Sequence, residues 1–138
     1  MDQYHIIAGI FIARVFLGVL FFFQGYDAVF KVRIKNVIET YKDTFENKGI
    51  PKHFTICASW FNSCTALIGG FLLITGLFEY FALYLLGLNL LITCIGFSIH
   101  TPMWDTRFVF VRLVLLLLLL LVPQSWNEWS LDTLFFKR

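Results

Sequence analysis

The stretch that decides the fold is residues 56–99, ICASWFNSCTALIGGFLLITGLFEYFALYLLGLNLLITCIGFSI, whose 44 residues include one charged side chain, Glu79. With a helical rise of ~1.5 Å per residue, this stretch would be about 66 Å long, roughly twice the ~30 Å hydrocarbon core of a bilayer. The stretch therefore predicts two membrane-spanning helices that meet near Glu79.

Two further apolar blocks flank this stretch, at residues 6–30 and 108–122, and the second contains seven consecutive leucines. The 138-residue chain is 59% hydrophobic and 14% charged, the reverse of the balance in a soluble domain of this length. Because backbone groups in lipid must be satisfied within their own segment, the blocks predict an all-α membrane protein. We expect one domain, residues 1–138, forming a four-transmembrane-helix bundle with spans at about 6–31, 55–78, 80–100 and 107–123.

The basic residues predict an orientation. Arg107 and Arg112 lie around the third connection, whereas no Lys or Arg precedes Arg14 or lies in the turn at Glu79. Six more basic residues lie in the first connection: Lys31, Arg33, Lys35, Lys42, Lys48 and Lys52. By the positive-inside rule, the first and third connections face the cytoplasm, and both termini are periplasmic in a bacterial inner membrane. Tryptophans at the span ends, Trp104, Trp126 and Trp129, are typical interfacial anchors.

The first connection has a helical pattern. Apolar residues recur at helical spacing between charged ones: Ile34, Val37, Ile38, Tyr41 and Phe45. The pattern predicts an amphipathic helix between spans 1 and 2 that ends at Gly49 and Pro51, with its apolar face on the headgroup boundary or on the ends of the bundle. A solvated, partly helical loop is the alternative.

Ionisable residues at membrane depth are costly and therefore candidates for function. If the first span begins near Ile6, Arg14 lies about 12 Å along it and needs a partner or a wet cavity. If the span begins near Ala13, the guanidinium reaches the headgroups by snorkelling. The sequence leaves both open.

Later in the same span, Gln24, Asp27 and Lys31 form a polar ridge with helical spacing. Asp27 can pair with Lys31, and Arg112 in the fourth span is a second plausible partner. Asp27 is therefore either part of an ion pair that joins the first and fourth helices or part of a proton or ligand site.

The second span has small residues roughly along one face. Asn62 lies among them and can form a hydrogen bond across the contact, so the face predicts close helix packing. The small residues are Ala58, Ala66, Gly69 and Gly76, with Gly70 adjacent. The three cysteines, Cys57, Cys64 and Cys94, are interpreted as small buried apolar residues.

His100, after the third span, has no neighbouring residues at metal-ligand spacing. It is interpreted as a hydrogen-bonded interfacial residue or as a group for proton or quinone chemistry. The chain also lacks a phosphate-binding glycine loop and a nucleophile elbow. We therefore expect no metal and no cofactor held by the chain's own side chains. We also expect no nucleic-acid partner, since the net charge of +2 reflects membrane-side bias.

Four stretches follow a pattern found in one family of membrane proteins. The first is ARVFLG (13–18), leading to QG (24–25) and Lys31. It resembles the opening motif of the DoxX family of small four-helix membrane proteins, an arginine, a glycine and a later glycine followed by lysine. FENKGIP (45–51), GGFLLITGLF (69–78) and SLD (130–132) are similar to its connecting segment, second span and closing signature, and His100 stands where the family tends to carry a histidine.

The chain departs from that pattern at two places. Thr65 and Ala66 stand where the family often has a glutamate, and Glu79 stands where it often has a basic residue. Glu79 is therefore a hypothetical replacement partner for Arg14.

The resemblance implies a link to membrane redox systems, since the family's name-giving members belong to a thiosulfate:quinone oxidoreductase. Our leading hypothesis is a non-catalytic accessory or anchor subunit of a larger inner-membrane complex, respiratory or otherwise energy-coupled, with other membrane subunits or a second copy as partners. The first alternative is a quinone-reactive subunit in which His100 or Asp27 exchanges protons and Arg14 polarises a quinone carbonyl. A small-solute transporter ranks last.

Overall fold

The computed structural model describes residues 2–100 and 107–136, and helices are the only regular elements in those two ranges. The prediction of an all-α protein is confirmed. The helices are α1 (Asp2–Tyr26), continued by a π-helical turn (Asp27–Lys31), then α2 (Ile34–Asn47), α3 (Lys52–Thr75), α4 (Glu79–His100), α5 (Arg107–Leu121) and α6 (Leu131–Phe136), with a 3₁₀ turn (Gln124–Trp126) before α6.

Three of these helices are long and apolar enough to cross a membrane: Gln3–Lys31, Lys52–Thr75 and Glu79–His100. The fourth apolar block is also helical, but α5 has 15 residues and measures about 22 Å, less than a ~30 Å hydrocarbon core. It ends at Leu121 and not near 123 because Pro123 disfavours helical conformation in the residue before it. The lengths of the helices therefore support three membrane spans.

The chain reverses where the sequence predicts breaks. Gly49, between α2 and α3, has a φ of 80°, and Pro51 is the N-cap of α3. Gly76 ends α3 with a φ of 70°, and its amide donates to Leu72 O at 2.8 Å. Glycine adopts this left-handed conformation without steric cost, so the turn at residues 76–78 is short and brings α4 back against α3.

The long helices form a ring in which α1 packs on α3, α3 on α4, α4 on α5 and α5 on α1. Glycines bring α1 and α3 close together. A Cβ on Gly25 would collide with the backbone of Leu67, and one on Gly70 would collide with the backbone of Phe22. A Cβ on Gly69 would instead lie 2.7 Å from Leu86 of α4. The small residues of α3 therefore serve two neighbouring helices and not the single face expected from their spacing.

Helix α2 lies across α3 and α4 at one end of the ring. Its first residue, Ile34, is buried, and Tyr41 and Phe45 are half-buried, whereas Lys35 and Glu46 are exposed. Lys48, just after α2, donates a hydrogen bond to the carbonyl of Ile99 at the end of α4. The helix predicted for this connection is therefore present and is attached to both neighbours.

Candidate functional site

The candidate residues lie at two opposite ends of the bundle. Helix α4 runs for 22 residues from Glu79 to His100, about 33 Å. Since Arg14 contacts Glu79, Arg14 and His100 are about 30 Å apart. We call the two regions the Arg14 end and the His100 end. Asp27 also lies at the His100 end, so no single site can combine Arg14 with His100 or Asp27, as the quinone hypothesis requires.

Arg14 is 1% exposed and lies within a polar cluster. Its Nη1 donates to Asn127 Oδ1 at 2.5 Å, and its Nη2 donates to the carbonyl of Trp129 at 2.5 Å. Arg14 Nη1 also lies 3.7 Å from Glu79 Oε2. Snorkelling is therefore wrong for this residue, whereas the need for a buried partner and the pairing with Glu79 are confirmed by these contacts.

The segment after α5 builds most of this cluster because it folds back onto the turn between α3 and α4. The Asp132 carboxylate accepts hydrogen bonds from the amides of Phe78 at 3.0 Å and Glu79 at 3.1 Å. It thus caps the positive end of the α4 dipole. The Asp132 amide donates to Gly76 O at 3.1 Å, and Asn127 Nδ2 donates to Glu79 Oε2.

Aromatic rings and a glycine enclose the guanidinium of Arg14. Its Cζ lies 5.4 Å from the centre of the Phe11 ring, and that ring meets Trp129 edge-on at 5.8 Å. A Cβ on Gly76 would lie 3.1 Å from Arg14 Cζ and 2.9 Å from Ser130 Cβ. Gly76, predicted to pack against another helix, therefore makes room for Arg14 and the C-terminal segment.

At the His100 end, Asp27 Oδ1 lies 3.0 Å from Lys31 Nζ. This predicted pair is confirmed. Arg112, predicted as a second plausible partner of Asp27, instead donates a hydrogen bond to Gln24 Oε1. Arg112 lies five residues into α5, about 8 Å along the helix, and so it meets Gln24, which is nearly one turn deeper than Asp27.

A polar network joins α3 to α4 halfway along the bundle. Asn89 is fully buried and donates from Nδ2 to Asn62 O at 2.7 Å and to Thr65 Oγ1 at 2.5 Å. Thr93 Oγ1 donates to Asn62 Oδ1 at 2.8 Å. The cross-helix bond predicted for Asn62 is present. The sequence analysis missed Asn89, although an asparagine within an apolar helix was the available signal.

The ring of His100 packs edge-on against Tyr41 of α2, with 5.1 Å between the ring centres. His100 Nδ1 is buried and has no hydrogen-bond partner among the described residues. Burial raises the pKa of the Tyr41 phenol, so that group is neutral at physiological pH. Residues 101–106, which include the predicted anchor Trp104, lie outside the described ranges.

A partly open cavity of about 190 Å³ lies beneath α2, between α1, α3 and α4, near this end. It is lined by Thr55, whose side chain is 1% exposed, and by Asn62 and Ser63. Within residues 2–100 and 107–136, no group of three or more His, Cys, Asp or Glu side chains is placed to hold a metal ion. The three cysteines are free, and Cys57 is exposed, so the expected burial is wrong for that residue.

A family comparison identifies the chain's relatives. The DoxX family model matches residues 9–101, more than half of the sequence. The chain belongs to the DoxX family. DoxX proteins are membrane proteins, and this chain has three helices long and apolar enough to cross a membrane, so it is a multi-pass membrane protein. The family includes subunits associated with quinone oxidoreductases. Comparison with curated proteins and with solved structures gave no match.

The match covers α1 to α4 and so includes Arg14, Asp27, Glu79 and His100. The C-terminal residues that bind Arg14 lie beyond it. The partners of Arg14 in this DoxX protein are therefore identified from its tertiary structure and not from the family match.

Proposed function

We propose that this DoxX protein is an accessory subunit that crosses the bacterial inner membrane four times and docks onto a larger, energy-coupled complex. The observation that carries this proposal is that charged side chains within the bundle contact other groups of the same chain. Arg14, Glu79 and Arg112 each contact another group of the same chain and tie helices or terminal segments together. Groups engaged in this way hold the bundle together and are not free for chemistry.

The proposed membrane placement rests on the ring of helices. Helix α5 packs against both α4 and α1, and Trp126 and Trp129 follow it as interfacial anchors. A span this short is accommodated by local thinning of the bilayer. The His100 end carries the exposed Lys31, Arg33 and Lys35, and by the positive-inside rule this supports a cytoplasmic location for that end. Helix α2 then lies along the inner headgroups as an amphipathic helix.

One lateral face offers a place for another helix. The glycines that bring α1 and α3 together would collide with neighbours if they carried a Cβ, but Gly9 has no atom within 4 Å of that position. Ala13, one turn later on α1, is partly buried against the core, and the exposed Ile12 and Phe16 flank this stretch of the helix. Small residues four apart on a lipid-facing helix allow close approach of a second helix. The Gly9 face is therefore our proposed docking surface for a membrane partner.

Purification of the tagged protein in a mild detergent, followed by mass spectrometry, tests this proposal. We expect a membrane subunit to co-purify with the native chain and to be lost with Gly9→Leu, because the leucine blocks close approach. Ile68→Phe is the control, since it adds bulk to an exposed position on α3. Consistent isolation of the chain alone would refute the proposal, and equal partner recovery with Gly9→Leu would refute the docking surface.

A quinone-reactive subunit is the second candidate, and the specific observation in its favour is the cavity near Tyr41 and His100. Arg14 is too far away to take part. If this function is correct, Tyr41→Phe and His100→Ala should lower quinol turnover of the assembled complex while assembly persists. An accessory subunit should tolerate both changes.

A further inference from the structure

The cavity at the His100 end has a chemical character that neither the family match nor the proposed accessory role explains. It lies between the end of α1, the start of α3 and the end of α4, and α2 covers it. Its polar lining includes hydroxyl, phenol and amide groups: Gln24, Tyr41, Thr55, Asn62, Ser63 and Thr93.

Among the described residues that line this cavity, none is Asp, Glu, Lys, Arg or His. Tyr41 is uncharged because burial raises its pKa. A charged head group entering the cavity would lose hydration and find no opposite charge in the lining, which is strongly unfavourable. The lining therefore selects uncharged molecules.

Two groups of the lining are free to donate a hydrogen bond. Arg112 can only donate, so its bond to Gln24 Oε1 occupies the amide oxygen and leaves the amide NH₂ as the group without a partner among the described residues. The Thr55 hydroxyl is buried and also has no partner in the described part of the chain. Buried polar groups are normally satisfied, and a hydroxyl can donate as well as accept, so this hydroxyl is available to donate to an acceptor on a ligand.

The volume of about 190 Å³ is somewhat larger than the ~150 Å³ of an engineered apolar cavity that holds benzene. It accommodates a ring or a glycerol-sized head but not a whole lipid. Aromatic side chains, Phe45 and Phe97, form part of the wall, and the cavity is open on one side. An attached apolar chain can therefore extend outward while the head group occupies the cavity.

We propose that this cavity binds an uncharged amphiphile whose head group carries carbonyl oxygens. Ester carbonyls of a neutral glyceride and ring carbonyls of a quinone share this chemistry. The proposal does not depend on the accessory role, because the purified chain alone should bind.

Native mass spectrometry and thermal unfolding of the purified protein in detergent test the ligand class. The neutral probes are dioctanoylglycerol and decylubiquinone. The matched probe for the first is 1,2-di-O-octylglycerol, which has ether oxygens in place of carbonyls, and the charged probe is laurate. We expect at least one carbonyl probe to bind and to raise the unfolding temperature, and the ether and laurate to bind at least tenfold more weakly. Binding of glyceride alone would support the cavity and argue against a quinone-reactive function.

Two pairs of variants locate the bound probe. Gly96 lines the cavity and a Cβ there would lie 4.0 Å from Phe45, so Gly96→Leu fills the cavity without a backbone collision. Gly87→Leu makes the same change on α4 away from the cavity, where the nearest atom to a Cβ is 3.8 Å away. We expect Gly96→Leu to abolish binding and Gly87→Leu to retain it.

Thr55→Val removes the donor but keeps the shape, and we expect a roughly 3- to 10-fold loss of affinity, the effect of one neutral hydrogen bond. Thr75→Val is the control, since that hydroxyl bonds to the backbone of its own helix at 3.0 Å. The proposal is overturned if no carbonyl probe binds, if the ether binds as well as the ester, or if Gly96→Leu binds as tightly as the native protein. None of these results would affect the partner assay.

Discussion

Replacement of Arg14 by leucine should lower the free energy of unfolding by about 3–5 kcal/mol, the range found when one member of a buried ion pair is removed. Arg14 donates two hydrogen bonds at 2.5 Å, to Asn127 and to the Trp129 carbonyl, and a bond from a charged group contributes about 1.5–3 kcal/mol. The change would also leave the mostly buried Glu79 carboxylate without its guanidinium.

Loss of the Glu79 charge should lower the free energy of unfolding less than loss of Arg14. In Glu79→Gln the guanidinium keeps both hydrogen bonds, and the 3.7 Å ion-pair contact is too long to be a third, so we expect a loss of about 1–2 kcal/mol. Exchange of the two charges should rescue only part of the Arg14 defect. An arginine at position 79 would start from α4 and would not reproduce both bonds to the C-terminal segment.

Unfolding of the purified protein in mixed micelles of dodecyl maltoside and SDS measures these differences. The matched control is Arg33→Leu, which removes an exposed arginine between α1 and α2. The reasoning is refuted if Arg14→Leu lies within about 0.5 kcal/mol of the native protein, the usual range for surface changes, or if the Arg33 variant loses as much stability.

Three further experiments, with five substitutions among them, test the packing and the polar links. Gly70→Ala should lower the free energy of unfolding by about 1–3 kcal/mol in the same titration, because its Cβ collides with the backbone of α1. Gly9→Ala should be neutral or slightly stabilising, since its Cβ meets no other atom. Equal effects of the two changes would contradict the close approach of α1 and α3. Asp132→Ala should cost about 0.5–2 kcal/mol, as for a lost N-cap, and should speed hydrogen exchange at the first amides of α4, which unchanged exchange would disprove. Arg112→Leu should cost more than Asp27→Asn, since the arginine binds an α1 glutamine; the reverse order would argue for a link through Asp27.

The helices of this protein could be predicted from local patterns. Residues 56–99 are too long and too apolar for one crossing, and the structure breaks them at Gly76, next to the predicted site at Glu79. The periodicity after Lys31 likewise predicted the helix at 34–47. Such predictions succeed because each helix satisfies its backbone within its own segment.

The contacts of the candidate site depended on more distant parts of the chain. Asp27 and Lys31 are four residues apart on one helix, and their pairing was predicted correctly. Arg112 was predicted as a plausible partner of Asp27 but binds Gln24, because its partner depends on how deeply α5 lies beside α1. A difference of about one helical turn decides this, and hydrophobic periodicity does not specify depth to that precision.

For this protein, then, the sequence by itself determined which segments are helical, where the chain turns and that lipid is its main environment, since these follow from the composition and spacing of neighbouring residues. Only the tertiary structure decided that Arg14 is buried and that its donors reach residues 113 and 115 positions away. It also decided that uncharged donors from three helices and α2 share one cavity. Burial and partnership of polar groups depend on the rotation and depth of helices relative to one another, which packing of the whole chain sets.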